Sequence, residues 1–142
     1  MLASEFADWD PRARQLLDQV DTTFRWGLYD RNPLTSWTNG RLALLGDAAH
    51  PMLPHLGQGA NQAIEDAMAL ATFLRGASPA DVPRALVHYQ ALRRHRTARI
   101  QQLSRTNGIR FDAGLAAQVH QPWIQDYDVE AHAASAVKAG AK

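Results

Sequence analysis

The chain has 142 residues, 46% hydrophobic and 20% charged, with 15 basic and 14 acidic side chains and a formal net charge of +1. That length supports one ordinary domain, and so balanced a charge argues against a dedicated nucleic-acid binder. Cysteine is absent, which excludes disulfides, thiolate zinc sites, iron–sulfur ligation and a cysteine nucleophile. Asp10-Pro11 pairs an N-cap acid with proline at a first helical position, so a short helix is predicted over about 11–20, with Leu16, Leu17 and Val20 on its apolar face. Thr22 to Arg31 is aromatic, β-branched and roughly alternating, with Phe24, Trp26 and Leu28 on one side, and reads as a strand that Asn32-Pro33 ends. Asn39-Gly40 suggests a tight turn. Arg41 to Leu45 is a short apolar run that fits a buried strand stopping at Gly46-Asp47.

Pro51 and Pro54 argue against regular structure through residues 50–55. A helix follows from about Ala60 to Arg75, with an expected inner stripe of Ala60, Ala63, Ile64, Ala67, Ala71 and Leu74 and with Gly76 as its C-terminal cap. Asp81 is a candidate N-cap for a long helix over about 83–106. Its expected inner side is Leu86, Tyr89, Leu92, Ile100 and Leu103; Arg84, Arg93, Arg94, Arg96, Arg99 and Arg105 supply the other, and Asn107-Gly108 is expected to end it. The pattern weakens beyond Gly114, and residues 131–142 read as a frayed tail.

The chemistry concentrates in Gly46 to Ala67, GDAAHPMLPHLGQGANQAIEDA. The strand ending at Gly46-Asp47 leaves a carboxylate at its C-terminal edge, where open α/β sheets bind ligands. A stiff proline loop follows, and Gly57 and Gly59 let the backbone approach a ligand closely. The helix begins at once, so free N–H groups near Gly59, Ala60 and Asn61 point at the same place, with about half a positive charge at the helix tip. A carboxylate suits a hydroxyl donor; the dipole suits a group that becomes negative. Gly57-x-Gly59 alone is no dinucleotide fingerprint, because it follows proline rather than a strand and position 62 is Gln. There is neither a P-loop nor a G-x-S-x-G elbow.

This segment resembles the second flavin motif of the FAD-dependent aromatic hydroxylases, the single-component flavoprotein monooxygenases, and within them the branch of salicylate hydroxylase, 3-hydroxybenzoate 6-hydroxylase and 6-hydroxynicotinate 3-monooxygenase. The likeness extends through Tyr29-Asp30-Arg31, Pro33-Leu34, Trp37 and Gly40 to Leu45. It continues downstream to Tyr89, Arg93-Arg94-x-Arg96, Trp123, Tyr127 and Asp128, and so covers residues 9 to about 129. The resemblance implies an α/β fold class: a helix-rich C-terminal portion of an FAD-binding Rossmann-like monooxygenase fold, with few strands of its own and one long C-terminal helix. It divides the chain into the end of a substrate-binding domain (1–38), an FAD-binding segment (39–76), a C-terminal helical region (77–130) and a disordered tail (131–142).

It also implies roles. Asp47 would accept a hydrogen bond from a ribityl hydroxyl of FAD, with Gly46 and Ala48 near the ribityl and pyrophosphate groups. Pro54 would line the face of the flavin ring where oxygen reacts, and Gly57, Gly59, Ala60 and Asn61 would bring backbone N–H groups to its pyrimidine end. His55 and Leu56 would sit where the substrate pocket meets the flavin. NADH or NADPH would be the co-substrate, and the substrate a small phenolic or hydroxy-heteroaromatic acid attacked with oxygen. No residue here is assigned as catalytic acid or base. The family's N-terminal GxGxxG unit and its middle motif are absent. A fragment that binds FAD poorly and does not turn over alone is therefore expected. A separately encoded N-terminal half is one partner, and a homodimer stays open.

The remaining polar residues invite ordinary readings. His50 and His55 give no metal geometry and are expected to be loop histidines, with His50 structural, so no metal is expected. His88, His95 and the arginines read as one solvated cationic face. Glu65-Asp66 is explained by the helix dipole, and Trp26, Trp37 and Trp123 read as core or interface. The acids among the first ten residues do not suit a secretory signal, and no apolar run approaches the ~20 residues that cross a bilayer, so a cytoplasmic protein without membrane or nucleic-acid partners is expected. The competing class is a noncatalytic helical remnant or interaction module.

Overall fold

Helix formation begins at its caps. In the computed structural model, which describes residues 2–118 and 120–140, α1 spans Leu2–Glu5 and α2 spans Pro11–Leu17. Asp10 Oδ1 accepts from the Arg12 backbone N–H at 2.8 Å, the N-cap bond that the Asp-Pro pair promised. The helix stops at Leu17 rather than at 20, and Leu16 and Val20 stay exposed. Residues 22–31 are not a strand. Phe24, Trp26, Leu28 and Tyr29 are all exposed, because a strand needs a neighbour to complete its ladder and none of the described residues supplies one. Trp26 is therefore not core, whereas Trp37 is 3% exposed.

The two described strands are β1 (Thr38–Asn39) and β2 (Leu42–Ala43), an antiparallel hairpin with Thr38 opposite Ala43. Gly40, at φ +58°, makes its turn. The buried strand expected over 41–45 is thus only two paired residues, and Leu42 and Leu45 face outward. Short 3-10 turns follow at Gly46–Ala48 and at Pro54–Leu56, the second opened by the proline itself.

Helix α3 runs Gly59–Leu74 and α4 runs Val82–Asp112, with α5 at Pro122–Gln125 and α6 at Val129–Gly140. The core joins Trp37, Ala69, Phe73, Ala85, Tyr89, Val129 and Ala133. Tyr89 donates its hydroxyl to Leu44 O at 3.0 Å and so fastens the hairpin to α4. Burial, and then the Asp66 carboxylate, push that hydroxyl's pKa up. Residues 131–140 are helical rather than a disordered tail: Ala133 is fully buried, because a run of small side chains lets α6 sit closely on α3 and α4. Residues 141–142 of that expected tail lie outside the described residues.

Two further expectations change. Helix α4 passes straight through Asn107-Gly108 and is closed by Gly114, at φ +70°, with Leu115 N–H returning to Arg110 O at 2.8 Å. In α3 the buried side chains are Gln62, Asp66, Ala69 and Phe73. The predicted inner stripe points the other way: Ala60, Ile64, Ala67, Ala71 and Leu74 are exposed and Ala63 is half-buried. On the buried face of α3, Gln62 and Asp66 are satisfied by Arg93 of α4 while Ala69 and Phe73 join the core, so the alanine-rich stripe is left outward. No helix among the described residues is long and apolar enough to cross a membrane.

Candidate functional site

Residues 46–61 form a corner, a strut and a helix tip. Gly46 is buried at φ +56°, a left-handed conformation that suits glycine. Asp47 follows on the surface. Its carboxylate accepts no hydrogen bond from the described residues. It lies beside the start of α3: a Cβ built on Gly59 would sit 4.0 Å from Asp47 Oδ1 and 3.8 Å from Met52 Cγ. No side chain caps the N-terminus of α3, so its first N–H groups remain available. Carboxylate and helix tip therefore meet, as the sequence predicted.

The strut between them is held from behind by α4. Gln101 Nε2 donates to Pro51 O at 2.7 Å, Ser104 Oγ to Leu53 O at 2.6 Å and Asn107 Nδ2 to His55 O at 3.4 Å. Alternate carbonyls of residues 51–55 thus meet side chains at successive helical steps. Gly108 makes room for the His55 ring, since a Cβ there would lie 2.8 Å from its Nε2. Arg31 donates to Ala48 O, and Gly57 turns the chain at φ +62° into α3. Ala48, Pro54, Gly57, Ala60 and Asn61 are exposed, and His55, Leu56 and Gly59 are half-buried.

Behind the corner lies a buried charge network. Asp66 Oδ2 accepts from the Gly46 N–H at 2.9 Å and from His50 Nε2 at 2.6 Å; its Oδ1 accepts from Arg93 Nε at 2.8 Å. Burial raises the Asp66 pKa, but the hydrogen bonds from His50, Arg93 and Gly46 outweigh it and hold the carboxyl below its ordinary value. Glu65 behaves likewise: burial opposes ionisation, and Arg96 and Arg93 more than offset it. Arg93 reaches Glu65 at 2.5 Å, and Arg96 reaches it at 2.8 Å while donating to Trp123 O and Ile124 O. The Arg96 guanidinium also lies 3.7 Å from the Tyr127 ring centre, and that of Arg99 lies 3.9 Å from the Trp123 ring.

These contacts correct two sequence expectations. Glu65-Asp66 is not explained by the dipole alone, and the arginines are not one wet face: the Arg93 side chain is 0% exposed and that of Arg96 8%. Half-buried His88 stacks on Phe73 at 6.0 Å, while His95 is exposed. His50 is a buried structural histidine, as expected. Among the described residues, no group of three or more His, Asp or Glu is placed to hold a metal ion. The sequence reading missed Asp66, Gln101, Ser104 and Asn107 as site-forming residues. Their signal was present: Arg93, Thr97, Gln101, Ser104 and Asn107 recur at steps of four and three, a polar stripe on one helical face.

Comparison with known proteins matches this architecture. Residues 12–104 match the family described as FAD binding domain. The chain is 45% identical over 109 residues to a 3-amino-4-hydroxybenzoate 2-monooxygenase of Streptomyces platensis, covering 77% of this chain and 27% of that protein. It is 38% identical over 124 residues to the 6-hydroxynicotinate 3-monooxygenase of Pseudomonas fluorescens, covering 87% of this chain and 31% of that protein. A salicylate hydroxylase solved as a substrate complex superposes with a TM-score of 0.70 at 33% identity, over 96% of this chain and 36% of its own. The chain spans about a quarter to a third of the length of the curated relatives it matches. With both the family match and the superposition running through the corner, the strut and α3, the chain belongs to the FAD binding domain family.

Proposed function

We propose that this chain supplies one wall of the FAD site in an NADH- or NADPH-dependent monooxygenase of the cytoplasm that hydroxylates a small phenolic or hydroxy-heteroaromatic acid with oxygen. The observation that carries this reading is the exposed, unpartnered Asp47 carboxylate beside the uncapped tip of α3. The residues present fit the cofactor: a carboxylate accepts from a ribityl hydroxyl, and helix N–H groups favour negative charge on the ring. In this reading Gly46 and Ala48 border the ribityl and pyrophosphate groups, and Pro54 faces the ring. Gly59, Ala60 and Asn61 present their N–H groups to its pyrimidine end; the Gly57 N–H, expected there too, is instead taken by Pro54 O at 2.9 Å, so Gly57 serves by turning the chain. His55 and Leu56 face the substrate. When bound, FAD supplies the redox chemistry, while the chain positions it and sets its electrostatics.

Alone, the chain holds FAD weakly and does not turn over, because it offers one side of the site. Fluorescence quenching on titrating FAD into the chain tests this. Asp47→Ala is expected to weaken binding about tenfold or more, from the loss of a charge-assisted hydrogen bond of about 1.5–3 kcal/mol, without lowering the melting temperature, since Asp47 is exposed. Equal affinities would remove Asp47 from the site.

A second reading, a noncatalytic interaction module, draws on the outward apolar face of α3 and the unpaired aromatic stretch at 22–31. Its partner is a separate polypeptide carrying the N-terminal portion of the family's length. On the first reading, mixing the two should yield a complex that retains FAD through gel filtration and oxidises NADH or NADPH. A complex that forms without retaining FAD would favour the module over the enzyme, and a homodimer of this chain alone would replace the proposed partner.

A further inference from the structure

We propose that Asp66 is the positioning residue of the Gly46–His50 corner: one buried carboxylate oxygen staples both ends of the turn that presents Asp47, and the other fastens that turn to α4. The inference rests on the reading of Asp47 as a cofactor ligand and adds what sets the ligand's place.

The geometry separates this role from that of a plain core ion pair. Arg93 alone would satisfy the charge of Asp66. Yet Oδ2 takes the Gly46 N–H at 2.9 Å and His50 Nε2 at 2.6 Å, the two residues that bracket Asp47. Between them the turn is closed by Ala49 and His50 N–H groups, both donating to Gly46 O, at 2.9 and 2.8 Å. Asp66 is 0% and His50 1% exposed, so water does not compete for these bonds. His50 Nδ1 has no partner among the described residues, so the polar work of this side chain is directed at Asp66.

Helix α3 therefore carries three parts of one device. Its tip offers N–H groups near Gly59, its flank meets the corner where a Cβ on Gly46 would lie 3.2 Å from Ala63 Cβ, and Asp66 grips the corner's backbone. The spacing between the Asp47 carboxylate and the helix tip is set inside a single rigid helix rather than by loop packing.

The test uses the full chain with His50→Ala and His50→Gln, the second restoring a donor. Amide hydrogen exchange at Ala49 and His50, FAD titration and thermal melting are read together. His50→Ala is expected to speed exchange of the Ala49 amide about tenfold and to raise the FAD dissociation constant about tenfold. Exchange in α4 should be unchanged, and His50→Gln should recover most of both effects. Unchanged exchange in His50→Ala overturns the proposal, and so does faster exchange with unaltered FAD affinity, which would make the staple merely structural. If the wild-type chain binds no FAD while the corner amides still respond, the staple stands and the cofactor reading falls. Should His50→Ala not fold, wild-type exchange under mild denaturant decides: the Ala49 amide must open together with the α3 amides around Asp66, and earlier opening overturns the proposal.

Discussion

His55 lies so close to the Gly108 backbone that a side chain there would meet its ring: a Cβ would sit 2.8 Å from Nε2 and 2.9 Å from Cδ2. In an open helix, Gly→Ala would stabilise by up to about 1 kcal/mol. Here the added methyl must displace a ring whose own carbonyl is tied to Asn107, and overpacking costs about 1–3 kcal/mol. The second effect wins, so Gly108→Ala is expected to destabilise the chain by about 1 kcal/mol in urea unfolding and to shift the His55 ring resonances. Adding His55→Ala should turn the same substitution into a net gain, and the double-mutant cycle measures the contact directly. A gain in the single variant would mean that the ring turns aside freely. In sequence, Asn107-Gly108 looked like a helix end, because glycine usually breaks helices; only the position of His55, more than fifty residues away, explains it.

At the scale of elements, the helices were legible where local signals decide. Asp10-Pro11 marked the start of α2, and the loop glycines marked the start of α3. The polarity of α3 was not legible. Its apolar stripe was expected inward, but buried charges on α4 claim the other face, and which face is buried depends on long-range partners that local periodicity cannot name. The strand at 22–31 failed for a related reason: alternation was present, but no neighbouring strand was among the described residues. Within the site, the meeting of Asp47 with the α3 tip was readable, because both flank one short loop. The polar stripe of Arg93, Gln101, Ser104 and Asn107 was visible on one helical face, but its partners, like those of Asp66, lie about twenty to fifty residues away, so what the stripe meets was not readable. The outward stripe has its own consequence. Ile64 is 63% exposed and Met68 40%, and burying such side chains yields about 1.5–3 kcal/mol each. Ile64→Asp should therefore abolish the pairing proposed above while leaving the isolated chain's melting temperature unchanged; pairing that survives would move the partner to another surface.

For the whole molecule, acid is the revealing perturbation. Asp66 and Glu65 both have depressed folded-state pKa values, and unfolded carboxyls titrate near about 4. Their contribution is complete above the unfolded values and is lost as pH falls through the folded ones. Urea midpoints should be level from pH 7 to about pH 5 and drop steeply below about pH 4. In Glu65→Gln the drop should be shallower and start from a lower plateau, since Arg93 and Arg96 lose a shared partner. A midpoint that falls equally in both proteins would show that other carboxyls carry the acid response.

The length of α4 gives these parts a common ruler. Arg93 meets the network and Gln101, Ser104 and Asn107 meet the loop from one uninterrupted rod of 31 residues. Removing or adding one residue between Arg93 and Gln101 would swing everything beyond it by about 100° around the axis. Along this stretch the count of residues matters as much as their identity.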